Sequence, residues 1–160
     1  MENADLQKRL TVLEDIEAIK RLKAEYCDIC DANHDQDRIV QIFVPDGIWE
    51  SRGIGRAQGH EKIRELFKSF EERISFSQHN VFNPRIEVNG DKAHGTWYFM
   101  GPFTFRENNQ ALWLAARYEE EYVKVGGVWK FQHLNAIGRL AAPYESGWAA
   151  PSGKSHPFTD

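Results

Sequence analysis

Trp97-Tyr98-Phe99-Met100-Gly101-Pro102-Phe103-Thr104-Phe105 alternates as a strand does, with Trp97, Phe99, Gly101, Phe103 and Phe105 on one face. Strand-like runs extend outward from it over residues 74–88, 92–106, 111–124 and 128–139. Asn89-Gly90-Asp91, Glu107-Asn108-Asn109 and Gly126-Gly127 separate these runs and carry hairpin chemistry. The second half of the chain therefore reads as an antiparallel meander. In the run 111–124, Leu112, Leu114, Ala116 and Tyr118 share one face, and Trp113 and Ala115 lie opposite. Apolar content on both faces predicts burial on both, one against a helix-covered cavity and the other against a second subunit.

Before the meander, residues 5–32 read as a helix. Leu6, Leu10, Leu13, Ile16, Ile19, Leu22, Tyr26 and Ile29 recur at three- and four-residue steps. Glu17, Lys20, Lys23 and Glu25 are assigned to the opposite, polar face. Asp31-Ala32-Asn33-His34 is the polar turn that ends it. Asp35 then caps a second helix expected to run through Phe43, and Pro45-Asp46-Gly47 is expected to break it. Short strands near 48–51 and 55–58 follow, then a helix from Gly59-His60 through Glu72. This order predicts an α+β layout, with helices segregated to one face of a strongly curved sheet. The curvature makes a cone whose mouth suits a small apolar ligand. Residues 1–140 are expected to form one domain. The tail 141–160, with Tyr144, Trp148 and Phe158 among Pro, Gly and Ser, is expected to fold back as a lid.

A net charge of −4 with both signs interspersed gives no basic stripe, which argues against a nucleic-acid partner. No apolar run reaches the length of a bilayer span, and Met1-Glu2-Asn3-Ala4-Asp5 lacks an export signal, so a cytoplasmic location is expected. Cys27-x-x-Cys30 sits near a helix C-terminus, away from the dipole end that activates thiols, and no second Cys pair exists. It reads as two small apolar residues rather than a redox pair or half a metal site. Asp31, His34 and Asp35 lie in one turn with no further ligand cluster, so no metal is expected. Gly53-x-Gly55 is not followed by Lys-Ser/Thr, and no dinucleotide loop or Ser-centred elbow is present.

The chemistry-bearing stretch is Glu25-Tyr26-Cys27-Asp28-Ile29-Cys30-Asp31, taken together with Ser77-Gln78-His79-Asn80. A carboxylate at a helix end and an imidazole on a strand can meet at the rim of a curved sheet. The carboxylate fixes the ring tautomer and raises its basicity, so the imidazole can take a proton. Asp31 also suits a simple turn residue. The face Ser75, Ser77, His79, Val81, Asn83 also suits an exposed strand. Five helical residues turn about 140°, so Tyr26 and Asp31 do not stack on one face. On the last strand His133, Asn135 and Arg139 alternate in phase with Trp129, Phe131 and Ile137, as a pocket wall or a sheet interface does. The expected substrate-binding wall comprises Trp49, Phe99, Gly101, Leu114, Ala116, Tyr118, Asn135, Ile137 and Arg139.

These features together resemble the nuclear-transport-factor-2-like, or SnoaL-like, superfamily over nearly the whole chain. Asp15-Ile16-Glu17-Ala18-Ile19-Lys20-Arg21-Leu22-Lys23-Ala24-Glu25-Tyr26, followed by Asp31, is similar to the opening of bile acid 7α-dehydratases. His79-Asn80-Val81-Phe82-Asn83-Pro84-Arg85-Ile86 is similar to the matching strand of those enzymes and of hexachlorocyclohexane dehydrochlorinases. Scytalone dehydratases share the Asp–His arrangement. The resemblance implies a cystatin-like cone of three helices on a curved, mostly antiparallel sheet. It also implies a homotrimer, no cofactor, and elimination chemistry with His79 as base, Asp31 as its orienting carboxylate and Tyr26 as hydroxyl donor. The dehydratases carry a second carboxylate or His in the strand after the hairpin, where Gly101 stands here. The activity implied is a dehydratase-type lyase acting on a hydroxylated hydrophobic ring compound such as a steroid or polyketide. Dehydrohalogenation and ketosteroid-type isomerisation use the same base. A ligand-binding protein or a dioxygenase β-subunit is the alternative from another class.

Overall fold

A computed structural model describes residues 2–149. Helix α1 (Glu2–Asp31) leads to a one-turn α2 (Gln36–Ile39), a 3₁₀ turn over Val40–Ile42, and strands β1 (Phe43–Ser51) and β2 (Gly55–Gln58). Helix α3 (His60–Arg73) precedes β3 (Ile74–Ser77), β4 (Asn80–Asn89), β5 (Lys92–Phe105), β6 (Gln110–Val125) and β7 (Val128–Pro143). The strands form one sheet ordered β2-β1-β7-β6-β5-β3, with β4 also paired to β5. Only β1 and β7 among the described pairs run parallel. This is the expected α+β cone, and the helices cover its concave face.

Helix α1 buries Ile19, Leu22, Tyr26 and Ile29 against that face. Asp15 ties the helix to the β6–β7 hairpin by accepting hydrogen bonds from Trp129 Nε1 and Lys124 Nζ, both at 2.9 Å. Leu6, Leu10 and Leu13 continue the same stripe but are exposed, because these first turns have no partner within the described residues. Lys23 departs from the sequence reading. Helical spacing assigns it to the polar face, yet it is wholly buried and paired with Glu120 at 2.5 Å. Tyr122 donates to the other Glu120 oxygen and accepts from Trp97 Nε1 at 3.0 Å, so the buried charges are hydrogen-bonded on both sides.

The segment after α1 is shorter in helix than its sequence suggests. Asp35 caps α2 as expected, accepting the backbone N–H groups of Asp37 and Arg38, both at 3.0 Å. Phe43 does not end this helix; it opens β1, with its ring stacked on Phe131 at 5.1 Å. Pro45-Asp46-Gly47 is an irregularity inside β1, between the paired positions Phe43 and Ile48. A proline is tolerated there because the ladder is already interrupted.

Further irregularities shape the concave face. The run read as one strand, 74–88, is split at Gln78–His79 into β3 and β4. In β7, the pairing shifts between Phe131 and His133 opposite Tyr122 and Glu121. The extra residue, Gln132, reverses the alternation. Trp129 and Phe131 are buried before it, and Leu134 and then Ala136 face the core after it. Strand β7 continues to Pro143, past the expected boundary, and Tyr144 and Trp148 beyond it are exposed. Residues 150–160, including Phe158 of the expected lid, lie outside the described residues. Among the described residues no helix is long and apolar enough to cross a membrane.

Candidate active site

The concave face and the helices enclose a cavity of about 430 Å³. Its interior is built from Phe67 and Phe70 of α3, Phe99 and Phe103 of β5, and Leu114, Ala116 and Tyr118 of β6. Tyr26, Trp49, His34 and His79 also line it, and Arg73, Glu107 and Gln110 are among its polar lining residues.

Asp31, the last residue of α1, stands behind His79 relative to the cavity. Its Oδ1 takes the His79 ring Nδ1 at 2.6 Å and the Ser77 hydroxyl at 3.0 Å. Its Oδ2 accepts the backbone N–H of His79 at 2.8 Å. The break between β3 and β4 is what makes this possible. The Gln78 N–H still reaches the Pro102 carbonyl at 3.1 Å, but the His79 N–H has left the ladder and is satisfied by the carboxylate. Burial alone would raise the Asp31 carboxyl, but the hydrogen bonds and charge of His79, with Ser77, outweigh it and hold Asp31 below its ordinary value. Burial lowers the His79 imidazole below its ordinary value, against the opposing pull of Asp31. His79 is therefore neutral near pH 7, with Nδ1–H donating to Asp31 and the Nε2 lone pair open to the cavity. The ring is clamped by Phe99 at 5.0 Å and Phe103 at 5.1 Å between centroids.

Tyr26 borders the cavity, packed edge-to-face with the His79 ring at 6.3 Å between centroids. Its hydroxyl oxygen accepts a hydrogen bond from Trp49 Nε1 at 3.0 Å. That contact uses an oxygen lone pair and leaves the hydroxyl proton to a second partner, with Cys30 and Tyr118 beside it. The buried Lys23 ammonium lies 3.3 Å from the centroid of the Tyr118 ring and 4.4 Å from that of Tyr26. A cation on the back of both phenol rings draws electron density from them, and the same charge is fixed in place by Glu120.

The structure thus brings together Asp31, His79, Tyr26, Trp49, Phe99, Leu114, Ala116 and Tyr118. It does not bring Asn135, Ile137 and Arg139 into the cavity. The Gln132 bulge turns Asn135 and Ile137 to the convex face, where Asn135 pairs across Glu119, and Arg139, the extra residue of a second bulge opposite Ala115 and Ala116, lies over the Tyr98 ring at 5.4 Å. Gly101 has no room for a side chain, since a Cβ there would come within 1.9 Å of the Gln78 carbonyl oxygen. The missing substituent is what lets residues 78–79 lie against β5. Ser77 and His34 were not among the expected site residues. Ser77 is recognisable only once the strand break is known, and His34 reads as a turn residue.

Cys27 and Cys30 are buried and unpaired with each other, and burial pushes the Cys27 thiol up to about 11. These are packing residues, as the sequence suggests. Among the described residues no group of three His, Cys, Asp or Glu side chains is placed to hold a metal ion.

Helices layered on a curled sheet of this kind define the α+β, NTF2-like class, and cystatin-like folds are among its structural neighbours. The chain belongs to the SnoaL-like family, whose model matches residues 11–135. It is 31% identical over 124 residues to γ-hexachlorocyclohexane dehydrochlorinase of Sphingobium indicum, covering 74% of this chain and 77% of that one. The crystal structure of LinA matches with a TM-score of 0.81 and 28% identity, over 89% of this chain and 98% of its own. A candidate scytalone dehydratase from Novosphingobium aromaticivorans shares the fold, with a TM-score of 0.77 and 22% identity over 91% of this chain and 98% of its own.

Proposed function

We propose that this protein is a cofactor-independent lyase that removes a proton from a carbon of a hydrophobic ring compound and expels the neighbouring substituent. The observation that carries this reading is the His79 ring, locked through Nδ1 to Asp31 and open through Nε2 to a largely apolar cavity. A neutral, oriented imidazole facing an apolar space is a general base without a competing water shell.

In the reading proposed, His79 Nε2 takes the carbon-bound proton, and the electron pair left on carbon forms the double bond as the substituent departs. Tyr26 turns its hydroxyl proton to the substrate oxygen and donates to it. Protonated His79 then returns its proton to a leaving hydroxide, so water is released and the imidazole is restored. Dehydration of a hydroxylated ring is the reaction this hydroxyl chemistry serves best. Dehydrochlorination is the second reading, favoured by the 31% identity to γ-hexachlorocyclohexane dehydrochlorinase. There the base keeps the proton and chloride leaves as the anion.

The test is turnover on matched ring substrates carrying either a hydroxyl or a chlorine beside an acidic carbon, with γ-hexachlorocyclohexane as one member. Loss of water is followed by the absorbance of the new conjugated bond, and loss of HCl by free chloride. Full activity in a folded His79→Ala protein sinks the mechanism.

A further inference from the structure

His34 is a polar side chain in an apolar niche, and nothing in the mechanism so far uses it. It is 4% exposed and lines the cavity. Its ring lies 5.5 Å from Phe70, 6.0 Å from Phe67 and 6.2 Å from His79, centroid to centroid. Among the described residues its side chain makes no hydrogen bond, although no fully sealed polar side-chain atom lacks a partner. The His34 nitrogens therefore reach the open space of the cavity. The backbone there is also held at cost, with φ +67° at Asn33 and +54° at His34, a region that favours glycine. A buried imidazole with no protein partner needs another hydrogen-bonding group, and the cavity is where one can come from.

We propose that His34 is a substrate-binding hydrogen-bond donor, holding an oxygen or other electronegative atom of the ring substrate while His79 faces the neighbouring carbon–hydrogen bond. This rests on the function proposed above and adds the group that position 101 cannot carry, because a side chain there would collide with the Gln78 carbonyl. Burial and the nearby His79 lower the His34 ring to about 4, so it is neutral at working pH. A neutral imidazole still donates one N–H, and it does so without placing a second cation beside the base. Tyr26 and His34 then flank the base ring, at 6.3 Å and 6.2 Å respectively.

The probe is 1-indanone against indane, which differ by a ketone oxygen on the same ring frame. Dissociation constants for both are measured on the full chain and on His34→Phe and His34→Gln. Phenylalanine fills a niche already walled by Phe67 and Phe70, and although the left-handed φ at this position lowers its melting temperature, the ratio of the two constants is read on the folded protein. Its ratio of the two constants is expected to shift about five- to ten-fold towards indane, the worth of one hydrogen bond. Glutamine restores a donor and is expected to recover the ketone preference even where it lowers the melting temperature. A purely packing role predicts the reverse order, with phenylalanine neutral and glutamine harmful to binding of both compounds. Deuterium uptake at the carbon beside the ketone reports on His79 separately. A ratio that shifts in His34→Phe, with no deuterium uptake by the unaltered protein, supports His34 as donor and removes His79 as base. Failure of the unaltered protein to bind 1-indanone, or an unchanged ratio in His34→Phe, overturns the proposal.

Discussion

The Asp31 carboxylate does for His79 what a neighbouring strand would otherwise do: it accepts the backbone N–H at 2.8 Å while holding the ring at 2.6 Å. One side chain thus fixes both the position of the residue and the tautomer of its imidazole. Removing the charge disturbs both. His79→Ala is expected to lose at least ~10²-fold in turnover, and Asp31→Asn a similar or smaller factor. Asp31 is also what opposes the lowering of His79. In Asp31→Asn the acid limb of the pH–rate profile should therefore move to lower pH even as the plateau falls. A limb that stays put, or moves towards neutral pH, would show that the two groups are not coupled as described.

Lys23 and Glu120 form a wholly buried pair at 2.5 Å. Lys23→Met leaves the Glu120 carboxylate without its counter-charge and is expected to cost about 3–5 kcal/mol. The double variant Lys23→Met/Glu120→Gln removes both charges, and the glutamine carbonyl can still accept from Tyr122. It is expected to regain most of that loss in urea unfolding. A single variant as stable as the unaltered protein would mean that the pair is not buried in solution.

His34 makes stability depend on pH. The unfolded chain binds a proton on this residue below the ordinary value of 6.5, whereas the folded chain does so only near about 4. Between these values the unfolded state holds more protons, so stability falls as pH drops through that window. The full loss is of order 3 kcal/mol, at about 1.36 kcal/mol per pH unit. His79, also lowered by burial, adds to the loss in the same direction. His34→Phe should flatten the slope of unfolding free energy between pH 6.5 and 4, and an unflattened slope would place the titration elsewhere.

The convex face of the sheet carries a cross-strand row of Phe82, Tyr98, Arg117 and Ile137, with Phe82 42% and Ile137 37% exposed. We propose that the chain self-associates through this face, as a trimer. Light scattering at micromolar concentration should give a mass about three times that of one chain, and Ile137→Lys should reduce it. A monomer at that concentration removes the proposal.

The meander and the α+β layering were legible because each is written in short-range signals, whereas the Asp31–His79 contact, between residues 48 apart, was reached only through the family resemblance. Trp97, Phe99 and Phe103 alternate without interruption, and the hairpins carry their own turn residues. The β7 wall was misread because a bulge leaves no residue signature: Gln132 looks like any strand residue, yet it sets the facing of the residues from His133 to Gly138. Lys23 was misread because helical periodicity judges a residue by its type. Its partner, Glu120, is 97 residues away and shows itself only in three dimensions. His34 was overlooked for a related reason, since a turn next to a helix end is usually solvent-facing, and α3 covers this one.

The contact between Gly101 and the Gln78 carbonyl bears on how such a site can change over generations. Any single replacement at 101 adds a Cβ that must displace the peptide before His79, so it disturbs the seat of His79 before it supplies a new acid–base group. A second acid–base group at that position therefore has to arrive with a compensating rearrangement of residues 78–79, or after it. Chains with and without that group are separated by a step in the backbone, and point substitution alone is a poor route between them.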